Sequence, residues 1–311
     1  MLAYVARRLG QIVPIALVVA TLVFSLIHLI PGDPVEMMLG DGAQRSEVDE
    51  LRARLGLDRP LHEQYLEFIV GLFRLDLGVS LHRGEPVVKL LAEVFPATLE
   101  LAVAGMVVAL LIALPLGILA AINRHGWIDN LSRMLALLGV SIPNFWLGPM
   151  LILAFAIGVD WFPVSGRGGL ASLVLPAVTL GTALAGLLTR MVRVSLAEEL
   201  GKPYLITARA KGVGWPRAVV RHALKNALIP VVTVIGLQFG ALLTGAIITE
   251  TIFSWPGLGR LLIQSIHLRD YPTVQGAVLL IAATYLVLNL LTDIAYAFLD
   301  PRIRYQRSEA G

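Results

Sequence analysis

The stretch ATLELAVAGMVVALLIALPLGILAAI, residues 97–122, carries a single charged side chain, Glu100. About 20 consecutive apolar residues are enough for an α-helix to cross the hydrocarbon core of a bilayer. Small side chains recur along this stretch at every fourth position, which lets a membrane helix approach its neighbours closely. They are Gly105, Ala109, Ala113, Gly117 and Ala121. The stretch therefore predicts a membrane-spanning helix that packs tightly along one face.

Five further apolar segments accompany it, at residues 9–30, 134–159, 173–192, 228–248 and 273–299. The whole chain is 57% hydrophobic and only 15% charged, and its mean hydropathy is +0.77. A soluble protein carries about 25% charged residues. The first segment follows Arg7 and Arg8 as a signal peptide would, but its apolar run is too long for one, so we interpret it as a retained span. The predicted fold is an all-α membrane protein with six transmembrane helices.

The placement of Lys and Arg predicts the orientation, because cytoplasmic loops are enriched in these residues. With a cytoplasmic N-terminus, 15 of the 25 Lys and Arg residues lie inside. They are Arg7, Arg8, Arg124, Arg133, Arg190, Arg193, Lys202, Arg209, Lys211, Arg217, Arg221, Lys225, Arg302, Arg304 and Arg307. Most of the remaining ones fall in one long loop, where the bias carries least weight. We therefore expect a multi-pass protein of the bacterial cytoplasmic membrane with both termini in the cytoplasm.

The spans divide the chain into four parts. Residues 1–30 form the N-terminal end and the first helix, and residues 31–96 form an external region with helical periodicity. Residues 97–299 hold spans two to six, with a cytoplasmic loop at 195–230, and residues 300–311 form a cytoplasmic tail. The external region is either a helical cap on the spans or a dedicated substrate-binding surface, and its composition favours the cap.

Polar residues within the predicted spans are few. The candidates for a translocation path or gate are Gln238, Thr244 and Asp293 within the spans, and Glu250 just after the fifth span. An ionisable residue inside a membrane marks a functional site by default, but Asp293 lies close in sequence to Arg302 and Arg304, which favours pairing at the interface. Such sparse charge argues against a secondary transporter driven by an ion gradient, which remains the alternative from another class.

Several kinds of catalytic site are missing from the sequence. The chain has no cysteine, and it lacks paired metal ligands, paired catalytic residues within spans and the Gly-rich ATP-binding motif. These absences argue against a membrane enzyme such as an intramembrane protease, and predict a non-catalytic protein with no cofactor of its own. The chain also lacks a basic run interleaved with aromatic residues, so we expect no nucleic-acid partner.

The most informative segment is the cytoplasmic loop between the fourth and fifth spans. Pro203 suits a first helical turn, and Gly212 and Gly214 end the helix that it starts. A second helix is predicted at about 217–228 and leads into the fifth span. By composition alone, the loop is a basic segment that touches lipid headgroups.

This loop resembles the coupling loop, or EAA motif, of permease subunits in binding-protein-dependent ABC importers. The family pattern is Glu-Ala-Ala, three residues, Gly, nine residues and Ile-x-Leu-Pro. Ala208, Gly212 and Leu224 match that pattern. The departures are Ile206, Thr207, His222 and Lys225, and they resemble the di- and oligopeptide permease subgroup. The resemblance identifies the following as coupling-loop residues: Tyr204, Thr207, Ala208, Arg209, Lys211, Gly212, His222, Leu224 and Asn226.

Other stretches resemble the same subgroup, at residues 31–34, 55–60, 76–80, 96–99, 141–145, 250–259 and 300–302. The resemblance implies the type I ABC importer permease fold, with a helical external insertion between the first and second spans. It implies three kinds of protein partner: a second homologous permease in a heterodimer, two cytoplasmic ATPase domains or subunits, and an external substrate-binding protein. ATP and Mg would be used by the ATPase partners. The implied cargo is a small peptide, with nickel, glutathione or haem as alternatives.

The resemblance also suggests roles within the loop. We hypothesise that Ala208 and Gly212 are small so that the short helix can seat in a groove, with Arg209 and Lys211 making polar contacts around it. The same comparison leads us to expect that the external region lies under the docked binding protein.

Overall fold

The computed structural model describes residues 2–29, 33–39, 44–54 and 56–299. The first four helices are α1 (Leu2–Leu29), α2 (Pro34–Leu39), α3 (Arg45–Arg54) and α4 (Leu61–Arg74). They are followed by α5 (Val87–Ile122), α6 (Trp127–Ser141), α7 (Asn144–Leu151), α8 (Leu170–Leu200) and α9 (Pro203–Ala210). The last four are α10 (Trp215–Ala218), α11 (Leu224–Ile252), α12 (Leu258–His267) and α13 (Tyr271–Leu299). The predicted tail at 300–311 lies outside the described residues, as do residues 31–32 and 55 of the matching stretches.

Five segments are long and apolar enough to cross a membrane in the described part of the chain. They are Arg8–Leu29, Val87–Ile122, Leu170–Leu200, Trp215–Ile252 and Tyr271–Ile294. A sixth is obtained if the bent pair of Trp127–Ser141 and Asn144–Gly158 is one span. The described residues contain no strand, and only one isolated bridge joins Val79 to Pro86. The prediction of an all-α membrane fold with a helical insertion after the first span is confirmed.

The third span is broken at its proline. The sequence predicts one span over 134–159 with a kink at Pro143, and α6 and the segment from Asn144 to Gly158 meet there at an angle of 100°. Ile142 is extended, with φ −83° and ψ 118°, because the ring of Pro143 disfavours helical geometry in the residue before it. The second arm is α7 continued by a π-helix, Ile152–Gly158.

Two further differences concern spans five and six. The helix predicted at 217–228 and the span predicted at 228–248 form a single rod from Trp215 to Ile252. This rod is continuous because α10 and α11 are joined by a π-helical turn, Val219–Ala223, rather than by a break. The short helix α12, which lies between the two spans in sequence, was not predicted.

One compact unit consists of Leu99–Trp255 and the described end of the chain from Leu288 onward. Within it α8 packs on α6, α7 and α11. Contact between α8 and α5 is close, since a Cβ added at Gly181 would lie 2.5 Å from the carbonyl oxygen of Gly105, and one at Gly117 would lie 2.7 Å from the Cβ of Val192. All members of the small-residue row on α5 are buried. That row therefore packs helices, as predicted.

Within this unit an ion pair fastens α6 to α8. Asp129 is fully buried and accepts hydrogen bonds from Nε and Nη2 of Arg193, at 2.5 and 2.8 Å. It also accepts one from the backbone N–H of His125 at 3.0 Å. Because each oxygen of the buried carboxylate has a partner, the cost of burying its charge is offset.

The other compact unit consists of Met1–Thr98 and Pro256–Val287. Asp270, just before α13, is buried and accepts hydrogen bonds from the backbone N–H of Leu81 at 3.2 Å, from the hydroxyl of Thr273 at 2.9 Å and from the hydroxyl of Ser80. Thr98 accepts a hydrogen bond of 2.7 Å from the N–H of Leu258 at the start of α12. Residues of the external region are thus hydrogen-bonded to the chain that precedes the sixth span.

We predict that Gly181→Ala destabilises the protein by about 1–3 kcal/mol, the usual cost of overpacking, because its methyl group would collide with the backbone of α5. SDS-induced unfolding in mixed micelles measures this change. The matched control is Gly10→Ala on α1, where an added Cβ has no neighbour within 4 Å. Equal unfolding midpoints for Gly181→Ala and the wild type would contradict the close approach.

Candidate functional site

The short helix α9 has local reasons to begin and end where it does. Lys202 is extended, with ψ 146°, and Pro203 occupies the first helical position, where its missing N–H costs nothing. Gly212 ends the helix with φ +89°. The N–H of Val213 then bonds back to the carbonyl of Ala208 at 3.2 Å.

One apolar side chain anchors α9 to the rest of the loop. Leu205 is 1% exposed and lies in a cluster of buried residues from α5, α8 and the continuous rod of α10 and α11. The other members are Ala121, Leu196, Ala218, Val219, Ala223 and Ala227. Most of these are alanine, so the backbones come close enough to enclose a single leucine. Burying such a side chain contributes about 1.5–3 kcal/mol.

A buried carboxylate provides the second anchor. Glu199, in the last turn of α8, is 9% exposed. One of its oxygens accepts a hydrogen bond of 2.6 Å from the hydroxyl of Tyr204, and the other accepts one from the ammonium of Lys202. Asn226 on α11 donates to the Tyr204 oxygen at 3.3 Å. The network therefore connects α9 to both α8 and α11.

The protonation state of Tyr204 suits this role. Burial and the hydrogen bond to Glu199 raise the pKa of the phenol above its usual value. Tyr204 therefore stays protonated at neutral pH and keeps donating to the carboxylate.

Most of the remaining predicted loop residues lie on the outer side of α9. Thr207, Arg209 and Lys211 are exposed, and Ala208 is half-buried. The guanidinium of Arg209 lies over the ring of Trp215, with its Cζ 5.0 Å from the ring centroid, a favourable cation–π geometry. His222 and Leu224 are half-buried, and Leu224 packs against the Leu205 cluster.

Gly212 has the conformational role at the end of α9 that the sequence predicts. A Cβ added there would meet nothing within 4 Å of the chain's own atoms, so space within this chain does not require glycine. The left-handed backbone does, because L-residues with a side chain adopt it at a cost. Its proposed role in seating α9 against a partner stays a prediction.

Sequence reasoning missed Glu199. It lies within the predicted loop at 195–230, but a charge at the end of a long apolar span looks like an ordinary interfacial residue. The available signal was its spacing, three residues before Lys202 and five before Tyr204.

The structure does not bring the predicted path residues together on one face. Gln238, Thr244 and Glu250 follow each other on α11 at intervals of six residues, and at about 100° per residue they point in three directions. Gln238 is half-buried, Thr244 is exposed and Glu250 is fully buried. Asp293 on α13 is half-buried. Their assignment to a path or gate stays a prediction.

We predict that Glu199→Ala loosens α9 and leaves the spans folded, because Tyr204 and Lys202 lose their common partner. Backbone amides of 203–211 should exchange with solvent about 10-fold faster, as expected when a hydrogen-bonded charged group is removed. Hydrogen-exchange mass spectrometry measures this rate. The matched control is Glu198→Ala at the exposed neighbouring position. Equal exchange in both variants would show that the carboxylate does not hold the helix.

Comparison with known proteins gives a consistent result. The family model described as "Binding-protein-dependent transport system inner membrane component" matches residues 113–305, and the model of the N-terminal part of such components matches residues 1–102. The chain is 43% identical to the dipeptide transport system permease protein DppB of Escherichia coli K12, over 99% of this chain and 100% of that protein. It is also 43% identical to the glutathione transport system permease protein GsiC of Salmonella paratyphi A, over 98% and 100%.

Solved structures support the same fold. The inward-facing MetNI methionine ABC transporter contains a chain that superposes with a TM-score of 0.57 at 21% identity, over 68% of this chain and 97% of that one. An amino acid ABC transporter gives a TM-score of 0.51 at 16% identity, over 69% and 94%. At these identities the likeness concerns the fold alone. Taken together with the family matches over nearly the whole length, these findings show that the chain belongs to the family of inner membrane components of binding-protein-dependent transport systems.

Proposed function

We propose that this chain is the permease subunit of an ATP-driven importer of di- and oligopeptides, and that α9 is the helix through which ATPase partners move it. The proposal rests chiefly on the geometry of α9, a short helix held by its own chain on one side and exposed on the other. The full-length similarity to a dipeptide permease supports the cargo.

The two sides of α9 suit two different tasks. Leu205 faces the chain's own cluster, whereas the next residue, Ile206, is 66% exposed. An exposed isoleucine flanked by Thr207, Arg209 and Lys211 is suited to a groove with an apolar floor and polar walls, as in other helix-in-groove contacts. Ile206 stands where the family pattern has glutamate, so this contact would be more apolar here than the general pattern implies.

The anchors explain how motion of α9 would reach the spans. Glu199 belongs to α8, and Asn226 belongs to α11, so a displacement of Tyr204 acts on both. ATP and Mg would bind the partner chains, and this chain would hold no cofactor and catalyse no hydrolysis. Its contribution is mechanical, through a rigid contact between two alternative arrangements of the spans.

The remaining partners follow from the same assignment. A second, homologous permease subunit completes the path, two ATPase domains or subunits bind at the cytoplasmic face, and an external binding protein delivers the peptide over residues 31–96. The orientation by charge puts both termini in the cytoplasm. The bilayer is that of the bacterial cytoplasmic membrane.

Glutathione is the second candidate cargo, because the similarity to a glutathione permease is as high as that to the dipeptide permease. The two cargoes are close in chemistry, since each carries an amino group, amide bonds and a carboxylate. An ion-coupled carrier differs in kind, because it would take up its substrate without ATPase partners.

We predict that proteoliposomes holding the assembled importer accumulate a labelled dipeptide only when ATP reaches the ATPase side and the binding protein is outside. Uptake of labelled glutathione in the same vesicles tests the second cargo. Uptake that persists without ATP and responds to an imposed ion gradient would contradict the importer assignment.

We predict that Ile206→Ala weakens binding of the ATPase chains about 10-fold, the effect of removing a central apolar contact worth about 1.4 kcal/mol. Binding of purified ATPase to the permease pair in detergent measures it. The matched control is Val220→Ala, which shortens another side chain of the same loop that is 62% exposed. If the Ile206→Ala variant binds the ATPase as tightly as the wild type does, and only the Leu205→Ala variant loses binding, then the exposed face of α9 does not contact the ATPase.

A further inference from the structure

The bend between α6 and α7 leaves backbone groups without partners inside an apolar segment. Residue 143 is proline, so the carbonyl of Gly139 has no N–H four residues ahead of it. In the part of the chain that the structure describes, the carbonyls of residues 139–142 accept no backbone hydrogen bond. Both arms of the bend are apolar, and together they are long enough to form one span. Since the sequence predicts a single span over 134–159, we expect the unpaired carbonyls at membrane depth.

One side of the bend is covered by this chain's own helices. A Cβ added at Gly139 would lie 2.9 Å from the carbonyl oxygen of Thr182 on α8. One added at Gly148 would lie 3.2 Å from side-chain atoms of Ile252 and Phe253. Glycine at both positions thus lets the two arms press against their neighbours.

The other side of the bend is left open by the described residues. Ser141 is two positions from Gly139 and is exposed, as expected at about 200° around the helix. Phe145 is 62% exposed and Trp146 is 51% exposed. A hydroxyl, two aromatic rings and the free carbonyls therefore share the region of the break.

Lipid is a poor partner for this surface. Hydrocarbon offers no hydrogen bond to a free carbonyl, and irregular backbone at membrane depth is tolerated only inside protein or along a water-filled cavity. The described helices cover one side of the break, and the proposed function supplies a water-filled path for the other. Resting on that proposed function, we propose that the break at 141–146 lines the translocation path and binds the protonated amino group of the passing peptide.

The chemistry of the break selects that end of the peptide. Free carbonyls at the C-terminal end of a 15-residue helix carry partial negative charge from the helix dipole. Aromatic faces beside them attract an ammonium group by cation–π interaction. A contact of this kind binds the amino group that all free peptides share and makes no contact with their side chains. It is therefore suited to a path through which peptides of many sequences pass.

Cysteine labelling tests the accessibility of the break, since the chain has no cysteine of its own. Ser141→Cys in the assembled importer should react with a charged, membrane-impermeant methanethiosulfonate reagent, and dialanine with the binding protein should slow the reaction at least 10-fold. The positive control is Ser165→Cys, at an exposed position in the segment between α7 and α8.

Two outcomes of the labelling would overturn the inference. If the Ser165→Cys variant reacts and the Ser141→Cys variant does not, the break faces lipid or another subunit. If the Ser141→Cys variant reacts but dialanine does not slow its reaction, the break is accessible to water and does not bind the peptide.

A substitution tests the ligand chemistry. Ser141→Lys would place an ammonium beside the free carbonyls and should lower dipeptide uptake at least 10-fold, whereas Ser165→Lys, the same change at an exposed position outside the break, should retain most of it. Equal uptake by the two variants would overturn the ammonium site. Wild-type vesicles separate this inference from the proposed function. If they fail to take up dipeptide while the thiol of the Ser141→Cys variant reacts, the cargo assignment is wrong and the water-lined break stands.

Discussion

The structure depends on one constraint, that the backbone within a bilayer must satisfy its hydrogen bonds inside the protein. The described residues meet it with five helical segments of 22 to 38 residues, whose backbone groups pair along most of their length, with interruptions at prolines such as Pro176 and Pro230. In a bilayer the hydrophobic effect no longer drives helices together. They associate instead through van der Waals contacts, and small residues let their backbones come close enough to make them. Gly181 and Gly186 on α8 illustrate this, because a side chain at either would collide with a carbonyl of α5 or α6. The bend at Pro143 departs from the constraint, and for that reason it carries information about what lies beside it.

Neighbouring residues of α9 differ sharply in their surroundings. Leu205 and Ile206 are consecutive on α9, one buried and the other exposed. The first serves the chain's own stability, and the second is the residue that we propose contacts the ATPase partner. Glu199 gives the short helix the rigidity that eight residues cannot supply alone, since isolated helices of that length are marginal in water. A contact at Ile206 would therefore displace α8 and α11 rather than merely rotate a loose turn.

The sequence predicts the parts of this fold that arise from composition and local chemistry. Long apolar runs marked the spans, and Pro203 and Gly212 marked the ends of α9. Pro143 predicts a kink, but not its angle of 100°, since that depends on how the two arms pack against distant parts of the chain, as at Gly139 and Gly148. That the helix is continuous from Trp215 to Ile252 was also not predicted, because a π-helical turn cannot be recognised from the amino-acid composition. In the candidate site, Tyr204 and Asn226 were found by resemblance, whereas Glu199 required knowledge that its carboxylate turns inward.

Contacts between distant parts of the sequence are the hardest to foresee, and in one unit they give the external region its connection to the sixth span. Ser80 and Asp270 are 190 residues apart, yet the hydroxyl of one donates to the carboxylate of the other. Asp270 also accepts from Leu81 and Thr273, so a single buried carboxylate joins the segment after α4 to the first turn of α13. Gln275 adds a hydrogen bond of 3.0 Å to the carbonyl of Val23 on α1. Hydrogen bonds therefore hold residues 80 and 81 of the external region to the start of α13. A displacement of these residues would act directly on that helix.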